Sequence, residues 1–336
     1  MEHIVMQEDK RMKVRMLALL AGTVLVLAAL VAAVAFGAVR VSLDEMYQMI
    51  FVGENTENYR IMYHLRIPRA ICAAFAGANL ALAGCILQGI LRNPLADPGI
   101  IGISAGAGLA AMALMLIAPE WTSFVPMAAF IGAIGATAIV FILAWERGVH
   151  PLRLILAGVA VAAFFGGGMT ALSVFFSDKI QGTVTWMAGG FAGASWNHVL
   201  MIAPYSAVGI VGTLCVYRKL NALQLGDEVA RSLGVSVEKT RLGLIILAAL
   251  LAASAVSVAG LLGFVGLIVP HIMRMIVGSD FEHLLPVSAL FGAALVVGAD
   301  TIARTVFSPV EIPVGIFMSF IGAPFFLYLL KRRMRG

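Results

Sequence analysis

Few side chains in this sequence can do chemistry, and those that can fall into two groups. The first comprises three arginines, Arg66, Arg69 and Arg304, with Asp300 four residues ahead of the last. A guanidinium holds a carboxylate through two parallel hydrogen bonds, so arginines at the end of an apolar run offer recognition of acidic groups. Simple anchoring at an interface explains them too, and Asp300 and Arg304, on one helix face, can neutralise each other. The second group is LGDEVARSLG, from Leu225 to Gly234. Gly226 and Asp227 can start a helix, Asp227 and Glu228 suit its positive end, Arg231 suits its negative end, and Gly234 supplies a left-handed stop. A helix so short needs a partner to bury Val229, Ala230 and Leu233, unless it is simply a solvated loop helix.

Neither group is catalytic. No nucleophile, carboxylate pair or metal-ligand cluster stands out, and GVSVEKT (Gly234 to Thr240) is not a phosphate-binding loop, because Glu238 occupies a glycine position and no strand precedes it. The expectation is a chain with no enzyme activity, no metal and no cofactor of its own. If it moves anything with ATP, the motor is a separate polypeptide.

The elements that position these residues are apolar. The chain has 336 residues, 61% of them hydrophobic and 12% charged, with a mean hydropathy of +0.98. Soluble domains carry about 25% charged residues, so this is an integral membrane protein. Cys72, Cys85 and Cys215 all lie in apolar runs, an odd and scattered set that argues against a disulfide framework. The 17 methionines are scattered too, as flexible core packing rather than soft-metal ligand pairs.

Apolar runs long enough to cross a hydrocarbon core roughly 30 Å thick predict a single polytopic all-α domain. Its spans are 16–39, 70–91, 99–118, 122–144, 152–176, 199–217, 242–259, 263–277, 284–306 and 312–330. Spans two and three form a hairpin around Asn93-Pro94-Leu95-Ala96-Asp97-Pro98, where each proline disfavours helix before it. In the second limb Gly102 and Gly106 are spaced for close helix approach. Residues 40–65 read as a polar loop with Asp44, Glu45, Glu54 and Glu57. Asp178 to His198 reads as a short interfacial helix with tryptophan anchors, and Gly260, Gly263 and Gly266 as the turn between spans seven and eight. With the N-terminus in the cytoplasm, 17 of the 23 Lys and Arg fall inside: four at each terminus, Arg92, Arg147, Arg153, five between Arg218 and Arg241, and Arg274. That bias follows the positive-inside rule and puts both termini in the cytoplasm. It also accounts for the net charge of +5 without nucleic acid.

The order Arg66-x-Pro68-Arg69, a Gly/Ala-rich span, then Gln88-x3-Arg92-Asn93-Pro94-Leu95-Ala96-x-Pro98-Gly99-x2-Gly102-x-Ser104-x-Gly106-Ala107 resembles the membrane subunit of type II ABC importers. That permease family carries iron chelates, haem and cobalamin. The resemblance implies a second permease copy (identical or a close paralogue), two cytoplasmic ABC ATPases that use ATP and Mg, and an extracytoplasmic substrate-binding protein, in a prokaryotic plasma membrane. It also implies that the helix at 225–234 couples to the ATPase and that Arg66, Arg69 and Arg304 receive carboxylates of the binding protein. Gly166, Gly167, Gly168, Trp186, Met187, Gly189 and Gly190 would line a pore between the two copies, although close helix packing explains the glycines equally. Pro151-Leu152 stands where some relatives carry a small hydroxyl pair, so the inner gate need not be built alike, and WMAGGF (Trp186 to Phe191) looks closer to cobalamin permeases. The implied cargo is a large metal chelate, first an iron(III)-siderophore, then cobalamin or haem. An ion-coupled secondary transporter is the reading from a different class; it needs ionisable residues near the midplane and inverted repeats, and only Asp300 and Arg304 are candidates.

Overall fold

In hydrocarbon every backbone polar group must be satisfied within the chain, which leaves helices as the spanning element for a sequence of this pattern. The computed structural model describes residues 2–37, 42, 45, 47, 57–146, 151–306, 308 and 310–333. Arg40, Asp44, Glu54, Arg147 and Arg335, which the sequence reading used, lie outside the described residues. In chain order the helices are α1 (Glu2–Ala35), α2 (Tyr59–Leu91), α3 (Ile103–Ile117), α4 (Val125–Ala144) and α5 (Pro151–Phe175). They continue with α6 (Gln181–Met187), α7 (Trp196–Cys215), α8 (Tyr217–Gln224), α9 (Asp227–Ser232), α10 (Val237–Ala259), α11 (Val265–Val277), α12 (Phe281–Thr305) and α13 (Val314–Arg333). Seven are long and apolar enough to cross a membrane, and α3, α11 and the 314–327 part of α13 are shorter apolar helices. Together they correspond to the ten expected spans.

The core sits around α2, whose most apolar window is 83% buried, whereas that of α5 is only 17% buried. The reason is the run of small residues along α2. A Cβ on Gly77 would lie 2.2 Å from the Gly292 carbonyl oxygen of α12, and one on Gly84 would lie 1.9 Å from that of Gly266 in α11. Backbones touch at both crossings. With no hydrophobic drive between helices in lipid, such close contact is what holds them together.

Four details depart from the sequence reading. First, α2 begins at Tyr59 rather than after Arg69, so the arginines lie inside the helix. It contains one wide π turn at Met62–Arg66, because Pro68 has no N–H for the preceding turn; the indole N–H of Trp196 donates to the Tyr63 carbonyl at 2.9 Å instead. Second, Gly102 is not on a helix face. It caps α3 in the left-handed region (φ 75°), and only Gly106 packs closely, against Gly132 of α4. Third, Gly266 is a packing contact within α11, and the break between α10 and α11 is made by Gly260 (φ 66°) and by Phe264, which is left-handed without being glycine (φ 68°). Fourth, α6 ends at Met187, and Trp196 opens α7 rather than closing the short segment.

The two irregular stretches meet each other. Gly190 N–H donates to the Ala259 carbonyl at 2.7 Å, and Gly315 N–H, at the start of α13, donates to that of Gly189 at 2.9 Å. Non-helical backbone at membrane depth survives where protein buries it or where it lines a cavity, and this junction does both.

The glycine crossings generate a paired prediction. Gly84→Val drives a side chain into the Gly266 backbone and should remove the folded chain from detergent extracts, as judged by size exclusion. Gly166→Ala, where nothing lies within 4 Å, should leave thermal stability unchanged or raised by up to about 1 kcal/mol.

Candidate functional site

At one end of the bundle the three arginines lie together, each with a different job. The last carbonyls of a helix have no partner within it and form its negative pole. Arg66, buried, donates Nη1–H to the carbonyls of Val34 at 2.7 Å and Ala35 at 3.3 Å. Arg304, also buried, donates Nη2–H to that of Ala33. Two guanidinium groups therefore cap the end of α1. Arg69 instead forks onto Asp300, Nε to Oδ2 at 2.8 Å and Nη2 to Oδ1 at 3.0 Å, and its Nη1 reaches Glu311 Oε2 at 2.8 Å. Asp300 thus pairs across to α2, with Arg69, and not along its own helix with Arg304. Arg69 thus holds two carboxylates at once, one from α12 and one from the connection before α13.

Glu311 was missed in the sequence reading. Its cue is that it is the only acid after Asp300, set in the apolar connection before α13. Two cavities meet here. One, of about 360 Å³, is lined by Arg66, Arg69, Arg304 and Glu311. The other, of about 350 Å³, is lined by Trp186, Gly190, Ser257 and Pro313 as well as by Arg69 and Glu311.

At the opposite end lies α9, one and a half turns long, started by Gly226 (φ 110°) and followed by Gly234 (φ 80°). Asp227 does more than favour the helix start. It accepts from Arg241 Nη2 at 2.8 Å and from Arg92 Nη2, and Arg92 Nε donates to the Leu223 carbonyl at 3.0 Å. Arg92 terminates α2 and Arg241 stands in the first turns of α10, so α9 is bolted to both long helices. Arg231 Nη2 bonds Glu238 at 2.7 Å, which raises the Arg231 pKa above its ordinary value. Ala230 is fully buried within the chain and cannot be presented to a partner. Leu225 just before the helix and Leu233 just after it are 63% and 61% exposed, and Val229 within it is exposed too, so three apolar side chains stand open at this end. Glu228 is exposed beside them.

Asp280 caps α12 nearby. Burial favours its neutral form, yet the Asn221 amide (2.8 Å), the Glu282 N–H and the charge of Arg15 outweigh that and hold its carboxyl below the usual carboxylate range. Asp280, Glu282 and His283 bring ligand-type atoms within 4.8 Å of one another, but these commitments of Asp280 make the group a helix cap.

The remaining expected site residues are spread over two surfaces. Gly166 and Gly167 face open space on α5, beside exposed Phe164 and Phe175, while Gly168 packs on Leu109. Trp186 and Met187 are half-buried at the end of α6, and Gly189 and Gly190 belong to the irregular junction.

The FecCD transport family profile matches residues 23–332. The chain is 39% identical to the Fe(3+)-citrate import system permease protein YfmE of Bacillus subtilis, over 97% of this chain and 98% of that protein. It is 44% identical to the cobalamin import system permease protein BtuC of Halobacterium salinarum, over 80% and 73% respectively. A solved structure described as an inward-facing conformation of a putative metal-chelate type ABC transporter superposes with a TM-score of 0.83 at 30% identity, covering 94% of this chain and 98% of that one.

The division of labour among the arginines is testable. Arg66→Met removes the donors to the end of α1 and should destabilise the purified protein by about 1–3 kcal/mol, read as a lowered melting temperature. Arg60→Met, at an exposed position, should stay within about 0.5 kcal/mol of the parent.

Proposed function

The chain belongs to the FecCD transport family and is the membrane permease of a type II ABC importer, and from that premise we propose that it imports an iron(III) chelate of the siderophore class. The similarity to a ferric-citrate permease over nearly the whole of both chains supports an iron chelate ahead of cobalamin. Cobalamin is the second reading, supported by the 44% identity to a cobalamin permease and by WMAGGF at Trp186–Phe191. The cargo passes between two permease copies, whose facing surfaces include the open glycine face of α5.

The observation that carries the mechanism is Asp227 held between Arg92 and Arg241. Exposed Leu225, Val229 and Leu233 are the part of this end that a cytoplasmic ATPase grips. A load applied there cannot be absorbed by α9, because its first residue is ion-paired to the end of α2 and to the first turns of α10. Both helices run the depth of the bundle. α10 delivers the motion to the irregular junction at Ala259–Gly190, and α2 delivers it to Arg69. ATP with Mg is bound and hydrolysed by the ATPase pair, and this chain contributes the gate. At the far, extracytoplasmic end, Arg69 is the arginine that receives a binding-protein carboxylate. Arg66 and Arg304 support that surface by holding α1 in place. Both termini lie in the cytoplasm of a prokaryotic cell, and the chain sits in its plasma membrane.

Glu228→Arg together with Leu233→Asp should abolish co-purification of the ATPase subunits while membrane insertion is retained; normal co-purification would sink the coupling assignment. The cargo is read from the binding protein encoded with this chain. Purified without added ligand, it should carry a bound iron(III)-siderophore, detected by mass spectrometry, and bound cobalamin would favour the second reading.

A further inference from the structure

Arg69 holds two carboxylates that differ in every physical respect. Asp300 is 4% exposed, takes two edges of the guanidinium in the forked geometry, and neutralises it. Glu311 is 51% exposed, takes only Nη1, and comes from a connection rather than a helix. The first pair is a permanent part of the bundle, since leaving either charge buried alone is strongly destabilising. The second is an exposed ion pair of the kind worth only a few tenths of a kcal/mol to about 1 kcal/mol, so another carboxylate can displace it.

The position of Glu311 gives that exchange a consequence. Both cavities described above have Arg69, Phe191, Ala192 and Glu311 in their walls, so the Arg69–Glu311 pair stands in the partition between them. The outer cavity also contains Arg66 and Arg304, and among the described residues the buried Nε of Arg304 has no acceptor. Glu311 is also linked by main chain to the junction at membrane depth. Ile312 N–H donates to the Ala303 carbonyl at 3.3 Å, Gly315 N–H to that of Gly189, and Gly190 N–H to that of Ala259.

We infer that Glu311 is a built-in stand-in for the partner's carboxylate, an outer latch that occupies Nη1 of Arg69 until a docking acidic side chain displaces it. This rests on the reading of Arg69 as the docking arginine and adds the resident competitor. Displacement leaves the Arg69–Asp300 fork intact, removes Glu311 from the partition, and frees the start of α13 to move relative to Gly189. Docking and opening of the outer cavity toward the inner one are therefore one exchange of carboxylates on one nitrogen.

The test uses the complete permease–ATPase complex in lipid nanodiscs and the fluorescently labelled binding protein encoded with it, titrated at low and at physiological salt. Glu311→Gln keeps the shape and removes the competing charge, and should tighten capture by about threefold, the size of one exposed ion pair. Glu311→Ala should shift it in the same direction, and either substitution that melts with the parent protein suffices. Were Glu311 a structural brace or itself a docking residue, its loss would weaken capture. Unchanged or weaker capture overturns the latch. If capture by the parent protein shows no salt dependence, the docking role of Arg69 fails and the latch with it. Salt-dependent capture without tightening in either variant leaves docking standing and removes the latch alone.

Discussion

A polar group buried in hydrocarbon without a partner is the most expensive feature a membrane protein can carry, and most of what is distinctive here answers to that constraint. The three carbonyls that end α1 are met by Arg66 and Arg304. The carbonyl that Pro68 leaves unpaired in α2 is met by the Trp196 indole. The acid at Asp300 is met by Arg69. The irregular backbone at Gly189–Gly190 is met by the Ala259 carbonyl and the Gly315 N–H. Each repair joins elements far apart in sequence, so satisfying polar groups is also what fastens the helices to one another.

The two ends of the bundle use charge differently because their surroundings differ. At the Asp227 end the ion pairs are partly exposed, and each adds little stability by itself. Their value is geometric: Arg92 and Arg241 fix one carboxylate from two sides, making a six-residue helix a rigid handle. At the Arg69 end the guanidinium groups are buried, and there a charge must be held by carboxylates or by carbonyl dipoles rather than left to water. That separates the arginines into two that cap a helix and one that pairs with Asp300 and Glu311. The same residue type caps a helix, forks onto buried and exposed acids, and braces a short helix, and its surroundings decide which.

Motion and rigidity are distributed accordingly. Around α2, glycine-to-glycine crossings with α12 and α11 bring backbones into contact, leaving no side-chain layer that could slide or repack. Around α5 and the outer face of α13 large apolar side chains remain exposed within the single chain, as expected of surfaces that meet lipid or another copy. The breaks at 188–195 and 260–264 lie between these regimes, where a helix interrupted by left-handed residues can rearrange without unzipping a full ladder of hydrogen bonds.

The sequence by itself determined the membrane class, the succession of apolar helices, and the short helix between Gly226 and Gly234. Those follow from local properties: length of apolar runs, placement of prolines, and capping residues with a left-handed glycine stop. It also singled out the family, through a motif whose polar members, Gln88, Arg92 and Asn93, have no reason to recur in an arbitrary apolar helix. Which polar groups pair was not legible. Asp300 had Arg304 one helical turn away, yet its partner is Arg69, 231 residues earlier in the chain. Asp227 is held by Arg92 across 135 residues, and Ala230, placed by spacing on the docking face, is buried inside. Local pattern fixes where a helix lies and which face is apolar, whereas pairing depends on which helices become neighbours and at what depth. Only the packed bundle decides that.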